Sequence, residues 1–311
     1  MLLSINMYDL IVVGGGPAGY SAALYAVRFK MKTLVLTEDK GGVIKWTNLI
    51  ENYPGGGFIS GKELVEKMEE QAVKFGTEIK EEKVQGIEKD ENSFKVISGK
   101  EEYFSKSLIL ATGVKKRKLN IPGEEDFQNK GVSFCALCDG VLFKDKEIAV
   151  VGGGDSAAKE AILLTKYAKK VYIIYRKNQI RPEPIRYERV MQKVKEGKIE
   201  IINNTNITEI KGDKFVEHII LDNEHKDSRK LEVQGVFVEI GGTPGNDLAR
   251  GLGVELTEKG FIKIDELCRT NVSGVFAAGD VTSFPLKQAI TAAAHGTVAA
   301  YSAHNYLSPE K

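Results

Sequence analysis

Cys135 and Cys138 are separated by two residues in the middle of the chain, and Asp139 follows them directly. A Cys-x-x-Cys pair can close a reversible disulfide, and this spacing commonly makes one of the two thiols more nucleophilic. A neighbouring carboxyl group can exchange the proton that thiol–disulfide chemistry moves. The sequence therefore predicts a redox centre at these three residues, with Asp139 also serving as a turn residue before Gly140.

A zinc site is the first alternative for the cysteine pair. Structural zinc takes four ligands, but the chain offers only Cys268 and four histidines besides, with no second ligand-spaced pair. We therefore predict no metal centre. Two inert buried cysteines are the other alternative. Cys268 itself is predicted to be a core or surface thiol.

A glycine fingerprint, Gly14-x-Gly16-x-x-Gly19, follows the apolar run Tyr8–Val13. The first glycine permits a tight strand-to-helix turn, the second lets a pyrophosphate approach the backbone, and the third lets helix and strand pack closely. Glu38 lies nineteen residues after Gly19, where an acidic residue binds ribose hydroxyls. This segment is predicted to bind a dinucleotide that carries no additional phosphate.

A second fingerprint, Gly152-x-Gly154-x-x-Ala157, follows the cysteine pair. Nineteen residues after Ala157 stands Arg176, which is followed by Lys177. Arginine at this offset suits a dinucleotide with a 2′-phosphate, the opposite of the first site. The alternative is that these cations merely cover a surface loop.

The elements around the fingerprints predict two βαβ units. Their strands and helices are Tyr8–Val13, Ala18–Phe29 and Thr33–Thr37, then Glu147–Val151, Ser156–Tyr167 and Val171–Tyr175. Further predicted elements are a helix at Gly61–Phe75, a small antiparallel sheet within Thr77–Tyr103, strands at Ser107–Ala111, Ile199–Ile202, Ile207–Lys211, His218–Asp222, Leu231–Glu239 and Gly274–Ala278, and a helix at Lys287–Tyr306. The pattern predicts an α/β fold with two Rossmann-like domains that resemble a duplication.

Length and charge limit the class of protein. A chain of 311 residues favours two domains, and a net charge of +1 gives no electrostatic footprint for nucleic acid or an anionic membrane. Met1–Leu10 shows no signal peptide, and no apolar run reaches the length of a membrane span. Three cysteines are too few for a disulfide scaffold. We expect a soluble, cytoplasmic protein.

These residues, in this order, resemble low-molecular-weight thioredoxin reductases, the flavoprotein disulfide reductases of bacteria and archaea. The likeness covers nearly the whole chain and includes Glu51–Gly55, Ala111–Gly113, Ala277–Val281 and Gln288–Ala289. It implies an FAD domain formed by residues 1–115 and 248–311. An NADPH domain of residues 116–247, carrying the cysteine pair, would be inserted there, with linkers near Val114–Asn120 and Gly241–Asp247.

The resemblance also implies the roles of individual residues. FAD would be bound by Gly14, Gly16, Pro17, Ala18, Gly19, Glu38, Gly42, Val43, Asn52, Thr112, Gly279, Asp280, Lys287, Gln288 and Ala289. NADPH would be bound by Gly152, Gly154, Asp155, Ser156, Ala157, Tyr175, Arg176, Lys177 and Arg181. Cys138 is expected to face the flavin, Cys135 to attack the substrate disulfide, and Asp139 to act as acid and base. The partner would be thioredoxin or a thioredoxin-like protein, and the enzyme a homodimer whose domains rotate.

Three positions depart from the family pattern. Tyr175-Arg176-Lys177 stands in place of His-Arg-Arg, so one bidentate phosphate fork becomes a point charge and NADH becomes an alternative donor. Lys287 stands where arginine is common, and Val43 stands where glutamine is common.

Other functions fit the same residues. One is a flavin disulfide reductase with a different acceptor, such as a glutaredoxin-like protein, a peroxiredoxin-system protein or oxygen. Another is a flavin-binding redox sensor without turnover. Ferredoxin:NADP reductases share the two-domain plan, but the Cys135–Cys138 pair argues against that assignment.

Overall fold

A computed structural model of the chain describes residues 7–47 and 49–308. The chain divides into two compact units. Unit 1 comprises Met1–Lys115 and Thr243–Lys311, and unit 2 comprises Lys116–Gly242. Unit 2 is thus one continuous segment inserted between the two segments of unit 1.

In chain order, the elements of the first segment of unit 1 are β1 (Met7–Val13), α1 (Pro17–Arg28), β2 (Thr33–Thr37), α2 (Gly61–Lys74), β3 (Glu78–Glu81), β4 (Val84–Lys89), β5 (Phe94–Ser98), β6 (Glu101–Leu110) and β7 (Val114–Lys116). Those of unit 2 are β8 (Val132–Ser133), α3 (Ala136–Asp139), β9 (Glu147–Val151), α4 (Asp155–Leu164), β10 (Lys170–Ile174), α5 (Pro184–Lys195), β11 (Ile199–Ile202), β12 (Ile207–Gly212), β13 (Val216–His225), β14 (Ser228–Glu232) and β15 (Gly235–Val238). The chain continues through β16 (Gly242–Pro244), α6 (Asp247–Gly251), β17 (Val275–Ala277) and α7 (Ala289–Leu307).

A mixed sheet organises unit 1. Strands β3, β2, β1 and β6 are neighbours in that order and are parallel. The carboxyl-terminal half of β6 also pairs in parallel with β17, while its amino-terminal half pairs antiparallel with β5, which continues to β4. The predicted α/β class is therefore confirmed.

Successive residues of β1 enter two different cores, as a parallel strand covered on both faces requires. Leu10 and Val12 are fully buried in one core together with alanines of α1 and α7. Ile11 and Val13 are buried in the other core, with Phe94 of β5. The apolar run before the first fingerprint thus becomes the central strand of the sheet.

Helices α1 and α7 pack unusually closely at the start of α1. A Cβ atom on Gly296 of α7 would lie 2.0 Å from the carbonyl oxygen of Ala18, so only glycine fits there. Although α7 is rich in alanine, none of the helices within residues 7–47 and 49–308 is long and apolar enough to cross a membrane.

Unit 2 repeats this plan. Its sheet is parallel throughout, in the order β11-β10-β9-β15-β8. Ile148 and Val150 of β9 enter the core beneath α4, while Ala149 and Val151 enter the core shared with β12 and β13. Strands β12, β13 and β14 form an antiparallel sheet, which is the counterpart of β4 and β5.

The chain leaves and re-enters unit 1 through two paired strands, β7 and β16. The N–H of Gly245 donates to the carbonyl of Gly113 at 3.0 Å, and the N–H of Arg117 donates to the carbonyl of Gly241 at 3.0 Å. The two crossings of the chain are therefore held side by side.

Three predicted elements differ from the observed ones, and helix α5 was missed. The predicted strand Leu231–Glu239 is two strands in different sheets, because the chain leaves β14 at Val233 and enters β15 at Gly235. Helix α5 has no counterpart among the predictions. The predicted strand Ser107–Ala111 is the end of the longer β6, and β3 joins the parallel sheet rather than an antiparallel one.

Candidate functional site

Cys135 and Cys138 form a disulfide across the first turn of α3, with Cα atoms 5.4 Å apart. Cys135 is the residue before the helix, and its Sγ accepts a hydrogen bond from the N–H of Cys138 at 3.2 Å. Cys138 is exposed and Cys135 is half-buried. The hydrogen bond would stabilise a thiolate on Cys135, whereas exposure favours access to Cys138.

The redox turn is anchored to the helix of the second fingerprint. Ala136 is fully buried in the same core as Ala157 and Ala161 of α4. Its N–H donates to Oε2 of Glu160 at 2.7 Å, and Glu160 is itself only 6% exposed. The turn that carries the disulfide is therefore attached directly to the helix that follows the predicted nucleotide site of unit 2.

A cluster of charges lies behind the redox turn. The ammonium group of Lys116 donates to the carbonyl of Phe134 and, at 2.5 Å, to Oε1 of Glu239. Burial raises the pKa of Glu239, and nearby Glu160 adds to this effect, while Lys116 opposes it. Burial also lowers the pKa of Lys159 on α4. Lys116 thus ties Phe134, the residue before Cys135, to Glu239.

Asp139 is joined to Cys135 by a backbone hydrogen bond and to Ser133 through its side chain. Its N–H donates to the carbonyl of Cys135 at 3.1 Å. Its Oδ2 accepts a hydrogen bond of 2.6 Å from the hydroxyl of Ser133. The structure thus brings the three predicted redox residues together in one turn.

The second fingerprint has the steric pattern of a phosphate cradle. Gly152 has a φ of +143°, and a Cβ atom there would lie 2.2 Å from the carbonyl oxygen of Glu239. The same atom on Gly153 would lie 2.5 Å from the ring of Tyr175. By contrast, a Cβ atom on Gly154 would meet nothing within 4 Å. The middle glycine of the motif therefore faces open space before the first turn of α4.

Three exposed cations follow this fingerprint. Within residues 7–47 and 49–308, the side chains of Arg176, Lys177 and Arg181 form no ion pair or hydrogen bond. The N–H of Arg181 donates to the carbonyl of Gly153 at 2.6 Å, which places its loop beside the fingerprint.

Two other predicted residues lie at the start of α4. Asp155 accepts a hydrogen bond from the N–H of Glu183 at 2.6 Å and thereby holds the start of α5. Ser156 is exposed.

The first fingerprint shows the same steric pattern in unit 1. A Cβ atom on Gly14, whose φ is +119°, would lie 2.2 Å from the carbonyl oxygen of Ala111. A Cβ atom on Gly19 would lie 1.8 Å from the carbonyl oxygen of Gly14, whereas one on Gly16 would meet nothing closer than 3.8 Å. Pro17 is the first residue of α1, a position where its missing N–H is tolerated.

The residues that follow β2 are largely exposed. Glu38 forms a 2.8 Å ion pair with Lys83, and its side chain is 57% exposed. Gly42 adopts a φ of +58° with open space around a Cβ atom. Val43 is 43% exposed. Glu38 can exchange Lys83 for another partner at little cost, because exposed ion pairs contribute little free energy of stabilisation.

The carboxyl-terminal segment brings further predicted residues towards the first fingerprint. A Cβ atom on Gly279 would lie 2.9 Å from the Cβ of Ala18. Burial raises the pKa of Asp280, and the nearby charge of Lys287 partly offsets this increase. Lys287 donates to the carbonyl of Thr282 at 2.5 Å.

Asn52, Gln288 and Thr112 already have protein partners. The amide of Asn52 donates to that of Gln288 at 3.2 Å, and Gln288 precedes Ala289 at the start of α7. The hydroxyl of Thr112 donates to the carbonyl of Gly245 at 2.6 Å, so it is already engaged.

Ser133, Glu160, Lys116 and Glu239 were not singled out by their sequence pattern. Only Glu160 carried a signal, since it lies between Ala157 and Leu164 on the buried face of α4. An acidic residue on an apolar helix face needs a partner, here the N–H of Ala136. The other three are located only by tertiary contacts.

Comparisons with known proteins agree with this geometry. The family model described as pyridine nucleotide-disulphide oxidoreductase matches residues 8–296. Thioredoxin reductase of Mycolicibacterium smegmatis is 41% identical over 314 residues, covering 100% of each chain. Thioredoxin reductase of Peptoclostridium acidaminophilum is 42% identical over 312 residues, covering 97% of this chain and 98% of the relative.

The fold has a close counterpart among solved structures. The crystal structure of Lactococcus lactis thioredoxin reductase superposes with a TM-score of 0.91 at 40% identity, covering 96% of this chain and 99% of that one. The match spans both units and is accompanied by substantial identity. The chain therefore belongs to the pyridine nucleotide-disulphide oxidoreductase family.

Proposed function

We propose that this protein is an NADPH-dependent thioredoxin reductase that passes two electrons through FAD and the Cys135–Cys138 pair to the disulfide of thioredoxin. The observation that carries this proposal is the Cys135–Cys138 disulfide, whose turn is hydrogen-bonded to the helix of the second fingerprint. Relatives named thioredoxin reductase match the chain from end to end. Each turnover consumes one NADPH and one proton and converts one disulfide into two thiols.

The residues of unit 1 fit FAD. The open space at Gly16 would admit the pyrophosphate, and the first turn of α1 would supply its N–H groups. Glu38 and Asp280 would accept hydrogen bonds from the cofactor's hydroxyl groups. The start of α7 would stabilise negative charge on the flavin through its helix dipole. When bound, FAD would supply the two-electron chemistry that links the nicotinamide hydride to reduction of the Cys135–Cys138 disulfide.

The residues of unit 2 fit NADPH. The open space at Gly154 would admit its pyrophosphate. Arg176, Lys177 and Arg181 would bind the 2′-phosphate, since all three are exposed beside the fingerprint. Lys177 offers one point charge rather than a planar fork, which reduces the discrimination against NADH, so NADH is the alternative donor. Asp155 would act indirectly, by holding the start of α5.

The two cysteines divide the transfer between them. The thiolate of Cys135, stabilised by the N–H of Cys138, forms a bond to one sulfur of thioredoxin as the thioredoxin disulfide breaks. Asp139 gives a proton to the departing thiolate. Cys138 then gives its proton to the Asp139 carboxylate and attacks Cys135. This restores the Cys135–Cys138 disulfide, and the proton passes from Asp139 to the second thioredoxin sulfur as it departs.

Single replacements of the cysteines test this assignment. A single-cysteine thioredoxin, activated as its nitrobenzoate mixed disulfide, should be trapped by Cys138→Ser at least tenfold faster than by Cys135→Ser on non-reducing gels. Neither variant should reduce thioredoxin with NADPH, whereas Cys268→Ser should retain wild-type turnover. The proposal fails if wild-type protein does not oxidise NADPH in the presence of thioredoxin. Faster turnover with a glutaredoxin-like protein, a peroxiredoxin-system protein or oxygen would assign a different acceptor.

We also propose that the protein is a homodimer, as the family resemblance implies. We propose that it is cytoplasmic, because its low number of cysteines suits a reducing compartment. Sedimentation equilibrium of the flavin-loaded protein tests the oligomeric state. A monomer at micromolar concentration would contradict it.

A further inference from the structure

Ser133 stands between the two groups that move charge in the redox turn. Its hydroxyl donates to Oδ2 of Asp139 at 2.6 Å and accepts the N–H of Cys135 at 3.0 Å. A second contact, to the carbonyl of Cys135, is longer at 3.4 Å. Ser133 itself is only 4% exposed, so its hydroxyl has little access to water.

The direction of these bonds follows from the chemistry of the groups. A hydroxyl has one hydrogen and two acceptor lone pairs, and an ionised carboxylate only accepts. Ser133 must therefore donate to the Asp139 carboxylate while one lone pair accepts the N–H of Cys135. A hydrogen bond of this length from a hydroxyl to a carboxylate belongs to the strong, charge-assisted class. One side chain thus ties the carboxylate to the backbone of the cysteine.

The surrounding segment leaves Ser133 little freedom to turn away. Ser133 is the last residue of β8 and is paired with Phe237 of β15. The next carbonyl along the chain, that of Phe134, is held by Lys116, and the N–H of Ala136 is held by Glu160. The hydroxyl is therefore presented from a fixed backbone, which is what a positioning group requires.

We propose that Ser133 is a positioning residue for the proton transfer by Asp139, an inference that rests on the proposed function. By binding Oδ2, Ser133 fixes the carboxyl group beside Cys135 and leaves Oδ1 to carry the proton. When Cys135 bonds to the substrate sulfur and the substrate disulfide breaks, Asp139 gives that proton to the departing thiolate. The O–H of Ser133 then stabilises the carboxylate that remains.

The effect of Ser133 on kcat should depend on which disulfide is reduced. An alkyl thiolate, as in thioredoxin or hydroxyethyl disulfide, needs a proton as it departs, whereas the thiolate released from dithiobis-nitrobenzoate is stable without one. In the flavin-loaded protein, Ser133→Ala should lower kcat about tenfold with thioredoxin and with hydroxyethyl disulfide, and leave kcat with the nitrobenzoate disulfide unchanged. Ser133→Thr, which retains the hydroxyl, should restore most of the rate.

A double-mutant cycle separates positioning from stability. In the Asp139→Asn background, Ser133→Ala should cause no further loss, because the group that it positions has been removed. Ser302→Ala is the matched control: Ser302 is a buried serine of unit 1 that donates to the carbonyl of Leu267 at 2.6 Å, and its removal should leave turnover unchanged.

Two results would overturn the proposal: equal losses on both classes of disulfide, or the same loss with and without Asp139. A wild-type protein that reduces hydroxyethyl disulfide but not thioredoxin would refute thioredoxin as acceptor, and the Ser133 comparison would still be decisive on the small disulfides.

Discussion

At the scale of single residues, the two proposed nucleotide sites differ in the charge of the residue that lies nineteen positions after each fingerprint. Glu38 is already paired with Lys83 in unit 1. In unit 2, the exposed side chains of Arg176 and Lys177 have no ionic or hydrogen-bonding partner within residues 7–47 and 49–308. An unpaired cation loses no protein contact when it binds a phosphate, so its interaction with the ligand is not offset by a broken ion pair.

Replacing Lys177 by arginine should therefore strengthen the preference for NADPH. A planar guanidinium can bind the 2′-phosphate with two hydrogen bonds, where an ammonium group acts as a point charge. We expect Lys177→Arg to raise the ratio of kcat/KM for NADPH to that for NADH about tenfold, and Arg176→Ala to lower it by at least as much. Lys144→Arg, at an exposed site of unit 2, serves as the control. An unchanged ratio in both variants would place the phosphate elsewhere.

Cys268 should be chemically silent despite being a free thiol. Burial, with a smaller effect from the charge of Asp265, raises the pKa of Cys268 to about 12. A raised pKa means that less thiolate exists at neutral pH than for an ordinary cysteine, so alkylation should quicken only as the pH approaches that value. Mass spectrometry of the reduced native protein after iodoacetamide treatment at pH 7 should find Cys135 and Cys138 modified and Cys268 unmodified. Rapid modification of all three would contradict this burial.

A functional residue can be predicted from the sequence when its type is fixed by the local backbone, and not when it is fixed by a tertiary contact. Gly14 and Gly152 are recognisable because close approach of the backbone excludes every other residue type there. Ser133 is not recognisable, because its role arises only when the turn of α3 brings Asp139 back towards β8. A lone serine before a cysteine has no pattern that reveals such a contact.

At the scale of elements, α4 connects the second fingerprint to the redox turn. Glu160 lies on the buried face of α4 and accepts the N–H of Ala136, which is fully buried. Without this carboxylate, the N–H of Ala136 would be left without an acceptor inside the core. Such an unsatisfied donor costs about 1–3 kcal/mol.

Glu160→Ala should accordingly lower the free energy of unfolding by about 1–3 kcal/mol, with a smaller loss for Glu160→Gln, whose amide oxygen still accepts. Urea denaturation of the oxidised protein measures both values. Glu125→Ala removes an exposed carboxylate that pairs with Lys118, and it should leave stability nearly unchanged. If Glu160→Ala were as stable as Glu125→Ala, the hydrogen bond between Glu160 of α4 and Ala136 of α3 would contribute nothing to the free energy of unfolding.

The strands next to the fingerprints were predictable as elements because their residues are apolar on both faces, as in β1 and β9. The predicted strand at Leu231–Glu239 was wrong as a single element, because one apolar run serves two sheets on either side of Gln234. Helix α5 escaped prediction because it has few buried residues: Val190 is buried, and most of its other side chains are polar. Periodicity is weak when only a narrow stripe of a helix is covered.

At the scale of the whole molecule, the two units share one plan but differ in how the chain builds them. Both cores of unit 2 consist of residues from one continuous segment. The cores of unit 1 draw on both ends of the chain, and α7 packs against α1 at Gly296. The repeated plan expected from the two fingerprints is visible in the sheets. Strands β7 and β16 lie within Val114–Asn120 and Gly241–Asp247, where the family resemblance implied linkers, but their pairing was not predicted from the sequence.

The segment 116–242 should therefore fold by itself, because all the described residues of its two cores lie within it. We expect cooperative urea unfolding by circular dichroism, which is the appropriate probe because the single tryptophan, Trp46, lies outside the segment. NADPH should raise its Tm, and the segment should not reduce thioredoxin with NADPH, since it lacks the residues assigned to FAD. Residues 1–115 alone should fail to fold, because α7 and β17 are missing from their core. If both segments folded cooperatively, or if neither did, the inference that only segment 116–242 contains its complete cores would be wrong.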